Sequence, residues 1–420
     1  MCKEIDDHEC SFQGYSQNYA PWYIGIMHPH RVILALTLTM ATVVATAQPY
    51  VDKIHAAVAE PDVIYGTAVA FNGRVDTLRM NIWVPANDNA TSRPCVVWVH
   101  GGGFTGGHRR EMDAACADWA ERGYVAVTIS YRLGFYGPFP LDPPFAHDQA
   151  EVMRACFRGV QDLRSALRFL VEHADRYGID TARFVVGGAS AGAIIALHAA
   201  YVDERDPRPT ALGSIAAVQR GFDVFPRPDL GSLDGTSASG APLPRLRAVV
   251  NIFGALTDLA ILNGAPFVPT WSYHQRADPV VPCDTRRALW GLPLGVGDNY
   301  PILHGSCTLD AAFAERGFPA GSYETVLYQG ANHDVHDRVG LDRTAALFCA
   351  RQIASPVSVA SDDAGVASDR SPWQVYDLRG RHVGSISDPG GNTTLSDGVY
   401  LLTRSTTCRP VIIRQGTVRF

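Results

Sequence analysis

The sequence predicts an α/β fold, a mostly parallel sheet with helices on both faces, followed by a small C-terminal β-sandwich. Three observations predict it. Several apolar runs lack polar alternation, as strands covered on both faces must. These runs alternate with helix-type segments, the rhythm of a parallel sheet with crossover helices. Beyond a small, polar stretch the pattern changes to short strands separated by turn residues.

In chain order the strand-type runs are Thr77–Pro85, Cys95–His100, Tyr124–Arg132, Arg183–Ser190, Leu246–Gly254, Thr270–Gln275 and Tyr323–Gly330. Helix-type segments between them include Met112–Arg122, Glu151–Tyr177 and Ala191–Tyr201. Arg220–Arg245 is rich in Pro, Gly and Ser without periodicity, and is expected to run as an excursion over one end of the sheet. Ser355–Ser371 has the composition of a linker. The expected organisation is a leader over 1–47, a main domain over 48–354, a linker over 355–371 and a β-sandwich over 372–420.

The leader is read from Val32–Thr46, an uncharged run that ends in Ala45-Thr46-Ala47, the layout of a secretory signal peptide cleaved before Gln48. It is shorter than the roughly 20 residues that span a bilayer, so no stable membrane span is expected. The first 26 residues are acidic rather than basic, which places the expected start of translation at Met27. Export makes disulfides possible, and Cys283–Cys307 and Cys116–Cys156 are the expected pairs. A net charge of -6 and scattered Lys and Arg give no field for nucleic acid. No His or Cys cluster has metal-ligand spacing.

The strongest chemical signal is Gly188-Ala189-Ser190-Ala191-Gly192, between an apolar strand and an apolar helix. Such an elbow lifts a serine hydroxyl above the sheet on a strained turn, and its flanking residues must be small to clear the neighbouring strand and helix. Upstream, His100-Gly101-Gly102-Gly103-Phe104 follows another strand, where a loop of oxyanion-binding N–H groups belongs. The expected donors are the N–H groups of Gly102, Gly103 and Ala191, each worth about 3 kcal/mol in a transition state. A phosphate cradle fits less well, because the run lacks the Lys and Ser/Thr of a P-loop.

A serine nucleophile needs a base, and the base needs an orienting acid. Asp278 follows the strand Thr270–Gln275 and His333 follows Tyr323–Gly330, both at strand carboxyl ends where crevice loops collect. Their rivals are Asp258 and Asp284 for the acid, and His336, placed on the following helix, for the base. His100 is expected to steady the glycine loop, and His108 and His274 to be ordinary loop or surface residues. Phe135, Tyr136 and Phe139, with the excursion, are expected either to shape the substrate pocket or to join the core.

From about Asp62 to Ile353 the chain resembles the α/β-hydrolase carboxylesterases, specifically bacterial esterases related to feruloyl and acetylxylan esterases. "HGGGF", "ISYRLG", "RFVVGGASAGA", "LRAVVNIFGALTD" and "ADPVVP" carry the resemblance. It implies an α/β-hydrolase fold and a secreted, cofactor-free serine ester hydrolase with the triad Ser190, His333 and Asp278. Short-chain acyl, acetyl or feruloyl esters of plant polysaccharides are the expected substrates. Family members commonly carry Gly after the His that precedes the acid, where this chain has Gln275 and Arg276, and Ala193 stands where the elbow is often followed by Gly. Trp373–Phe420, with "VYDLRGRHV" and "GVYLLTR", resembles the C-terminal sorting domains of type IX secretion, which implies the secretion machinery as a partner and a secreted or cell-surface location. A lipase or polyester hydrolase on the same fold, and a non-catalytic glycan-binding surface protein, remain open alternatives.

Overall fold

The computed structural model describes residues 47–354, apart from 87, 89, 237, 238, 265 and 266, and the strand residues 373–377, 382–386, 398–404, 407–414 and 417–419. The expected leader before Ala47 and the linker 355–371 lie outside the described residues.

Eight strands form the main sheet: β1 (Ala56–Val69), β2 (Val75–Ala86), β3 (Arg93–Val99), β4 (Val125–Ile129), β5 (Ile179–Ala189), β6 (Leu246–Ile252), β7 (Thr270–Gln275) and β8 (Tyr323–Tyr328). Their order is β1-β2-β4-β3-β5-β6-β7-β8. β1 and β2 pair antiparallel, β2 pairs antiparallel to β4, and every pair from β4 to β8 is parallel. The helices are α1 (Asp113–Glu121), α2 (Gln149–Glu172), a short α3 (Ala174–Tyr177), α4 (Ala191–Tyr201), α5 (Ser306–Glu315) and α6 (Arg338–Ala354). This is the α/β-hydrolase fold. In the C-terminal segment, five strands pair antiparallel in the order His382–Ile386, Trp373–Asp377, Gly398–Arg404, Thr407–Arg414, Thr417–Arg419.

Period-two alternation splits each central strand between two cores. Along β3, Cys95, Val97 and Val99 face the cluster that includes α2, α4 and α5, while Val96 and Trp98 face the cluster that includes α1 and α6. This alternation overturns one expected disulfide. Cys116 of α1 and Cys156 of α2 are both free and buried, and they belong to cores on opposite faces of the sheet. Cys283 and Cys307 are bonded as expected.

The excursion begins with a hairpin, Ile215–Arg220 against Asp223–Arg227, and α2 holds what surrounds it. Arg154 donates to the carbonyls of Ala211 and Gly213, Gln161 to those of Leu230 and Ser232, and Arg164 and Arg168 pair with Asp234. Such bonds anchor a segment that has little apolar periodicity of its own.

Past the end of β4, Arg132 pairs with the fully buried Asp162 of α2 at 2.7 Å, and its backbone N–H donates to the same carboxylate at 2.7 Å. The Arg132 guanidinium also donates to the Gln161 amide oxygen and to the carbonyls of Val69 and Arg158. Burial raises the Asp162 carboxyl and the Arg132 charge opposes that rise. Removing one partner of such a pair strands the other charge in the core, so Arg132→Met is expected to lower unfolding stability by about 3–5 kcal/mol. Urea denaturation of the two proteins measures it, and a loss below about 1 kcal/mol contradicts the assignment.

Candidate active site

The C-terminal ends of β3, β5, β7 and β8 converge on one crevice. Ser190 links β5 to α4 at φ 55 and ψ -125, positive-φ backbone that a residue with a Cβ seldom adopts. Its N–H donates to the Ile252 carbonyl at 3.0 Å. Two positions on, a Cβ at Gly192 would stand 2.1 Å from the Val99 carbonyl oxygen, so only glycine lets α4 start this close to the end of β3.

The structure brings together the three expected side chains. Ser190 Oγ lies 2.8 Å from His333 Nε2, and His333 Nδ1 lies 2.7 Å from Asp278 Oδ2. The Asp278 side chain is fully buried and its Oδ1 accepts the N–H groups of Val280 and Val281 at 2.8 and 3.0 Å. With Oδ1 occupied, Oδ2 is left to the imidazole, and the Nδ1–H bond leaves Nε2 as the acceptor facing serine.

The rivals are engaged elsewhere. Asp258 is exposed and caps the N–H of Ala260, and Asp284 is half-buried and paired with Arg286. His336 precedes α6 instead of lying on it, stacks on Tyr328 and bonds the Tyr273 hydroxyl at 2.9 Å.

The glycine loop reaches the same crevice. Gly102 has φ 104 and its carbonyl accepts from Thr105 and Gly106 in a tight turn. Gly103 and Ala191 line the pocket beside Ser190, whereas Gly102 lies outside that lining. As the first residue of α4, Ala191 carries an N–H with no partner within its helix. His100 steadies the loop as expected: its Nδ1 bonds the Gly101 carbonyl at 2.8 Å and its ring stacks on Tyr131. His108 caps the short 3-10 helix Arg109–Met112.

Two polar residues in β7 were not read as part of the site. His274, expected to be an ordinary loop or surface residue, is completely buried in β7. Its Nε2 bonds the Val281 carbonyl at 2.9 Å and its Nδ1 the Ser306 hydroxyl at 2.8 Å, which fixes the turn that carries Asp278. Gln275 receives the Asn332 N–H at 2.9 Å and donates to the Asp334 carbonyl at 3.0 Å, gripping the backbone on either side of His333. The signal was present in the sequence as polar residues in a strand otherwise built for burial.

The pocket at Ser190 has a volume of about 40 Å³ and is lined by Ile194, Val281, Leu289 and Leu303 among others. Phe135 and Tyr136 are buried outside it and Phe139 is exposed, so these aromatics do not shape it. The excursion is absent from its lining too.

The family model BD-FAE matches residues 80–289, half of the chain. A fumonisin B1 esterase of Sphingopyxis macrogoltabida is 32% identical over 118 residues, 28% of this chain and 22% of that protein. A chlorogenic acid esterase of Aspergillus niger is 29% identical over 143 residues, 33% of this chain and 26% of that protein. The chain thus spans about a quarter of the length of these curated relatives. Among solved structures, esterase 2 of Thermogutta terrifontis superposes with a TM-score of 0.43 at 18% identity, over 72% of this chain and 94% of that one.

Burial holds His100, His198 and His274 below the ordinary imidazole value of 6.5. Released by unfolding, each takes up a proton near pH 6.5, so the unfolded chain binds more protons below that pH. The stability they contribute is complete above about pH 6.5 and is lost as the pH falls. His274→Gln should therefore show a shallower fall in melting temperature between pH 7 and pH 5 than wild type. Parallel slopes would remove His274 from this linkage.

Proposed function

The chain belongs to the BD-FAE family, and we propose that it is a serine carboxylic-ester hydrolase acting on short-chain acyl esters. The observation that carries the reading is the hydrogen-bonded chain Ser190–His333–Asp278 beside an apolar pocket with Gly103 and Ala191 in its wall.

Ser190 Oγ attacks the ester carbonyl while His333 Nε2 takes the hydroxyl proton. Asp278 stabilises the imidazolium through Nδ1–H. The N–H groups of Gly103 and Ala191, with Gly102 at the turn, receive the oxyanion. As the C–O bond breaks, His333 returns the proton to the departing alkoxide, leaving an acyl-serine. Water, deprotonated by the same imidazole, then attacks the acyl carbon and releases the carboxylic acid and free Ser190.

Pocket size favours a short acyl group. The pocket's free space of about 40 Å³ is small and its wall is almost wholly apolar, which suits a short acyl chain. This supports acetyl and similar esters over a lipase or polyester reading, and a carbohydrate-borne acyl ester is the natural substrate class we favour. Signal-type residues 32–47 and the sorting-type tail support export through the type IX machinery to the medium or cell surface.

Ser190→Ala is expected to lower kcat/KM on p-nitrophenyl acetate by about a thousandfold or more. Equal rates for mutant and wild type would end the ester-hydrolase reading. Gln275→Gly, which frees both flanks of His333, should lower kcat about tenfold or more with little change in KM, since it disturbs the base and leaves the acyl pocket intact. An unchanged kcat would assign Gln275 to packing alone.

A further inference from the structure

We propose that Met153, Cys156 and Thr257 form a partition that sets the acyl-length limit of the pocket, and that the cavity behind them is a second acyl compartment. The proposal rests on the ester-hydrolase reading and adds what determines its specificity.

A cavity of about 620 Å³ adjoins the 40 Å³ pocket at Ser190, and both are bordered by Met153, Cys156 and Thr257. His333, which protonates the leaving alcohol, lines neither space. The alcohol therefore departs on the His333 side, and the partition stands at the opposite, acyl end.

Each member of the partition is held by an identifiable device. Met153 and Cys156 lie one turn apart on α2 and so share a face. Thr257 follows the two-residue strand Ala255–Leu256, and its hydroxyl donates to His198 Nε2 at 2.8 Å. His198 can accept there because its Nδ1–H is given to the Ile194 carbonyl at 2.8 Å. Cys156 is buried, with its thiol pushed up to about 12 by burial, so it acts as a small apolar wall. Met153 is half-buried, and its three torsions make it the movable element.

Behind the partition, Phe157, Val160, Leu212 and Leu233 give the cavity an apolar floor, and Asp203 and Glu204 stand on its wall. An alkyl tail suits the floor.

The test is the kcat/KM series on p-nitrophenyl acetate, butyrate, octanoate and decanoate for wild type, Met153→Ala and Cys156→Ala, with melting temperatures recorded for all three. Opening the partition should raise the octanoate-to-acetate ratio by at least about tenfold, the discrimination that a few methylenes produce in an apolar pocket. Either variant suffices if the other fails to fold. Ser232 is exposed and lines the rear cavity, so adding Ser232→Trp to Met153→Ala should obstruct that space and cancel the gain. An active wild type whose folded variants keep its chain-length ratios overturns the partition, and a gain that survives Ser232→Trp overturns the rear compartment. A wild type inactive on the whole series instead overturns the ester-hydrolase reading, and the partition falls with it.

Discussion

The backbone of Ser190 is the constraint on which the rest depends. Holding a residue with a Cβ at φ 55 costs on the order of 1–3 kcal/mol, and such strain persists only where the surroundings over-determine it. Here three restraints act together. The Ser190 N–H is bonded to Ile252 of β6, β5 is paired on both sides, and α4 starts against the ends of β3. The hydroxyl is thereby presented above the sheet, and the glycine loop that follows β3 is brought beside it.

Parallel pairing carries the same logic to Asp278 and His333. β7 and β8 are in register from Thr270 with Tyr323 to Gln275 with Tyr328, so the loops that leave their C-terminal ends emerge side by side. Asp278 and His333 meet there across 55 residues of sequence. Loop ends alone are mobile, and the precision comes from polar side chains beneath them. His274 ties the acid turn to Ser306, the Cys283–Cys307 bond joins that turn to α5, and Gln275 grips the base loop.

Central strands and the helices that follow them were legible because burial on both faces writes an unbroken apolar run. β4, Val125–Ile129, falls inside the expected apolar run Tyr124–Arg132, and α4 occupies the expected Ala191–Tyr201. Their order also put Ser190, Asp278 and His333 at strand ends before any contact was known. β1 was illegible for a physical reason: it is an edge strand, largely exposed, with register breaks around Pro61 that erase alternation. The Cys116 and Cys156 error has a comparable origin, since two apolar helices do not declare in sequence which face of the sheet each covers. His274 was misjudged because, although its strand marked it for burial, its partners Val281 and the distant Ser306 are not evident from sequence.

The turn that carries Asp278 also bears on how the pocket at Ser190 can change shape. Val280 and Val281 donate their N–H groups to Asp278 and also line the pocket at Ser190, so one short segment holds the carboxylate and shapes the pocket. Because backbone N–H groups make those bonds, a side-chain substitution there keeps them unless it shifts the turn or introduces proline. Met153 and Cys156 have no such tie, since the groups bonded to the Asp278 and His333 side chains come from the two loops and Ser190 and none comes from α2. A substitution at Val280 or Val281 can shift the turn that holds Asp278, whereas one at Met153 or Cys156 acts on the pocket wall alone, so changes of pocket shape are better tolerated on the helix than on the turn.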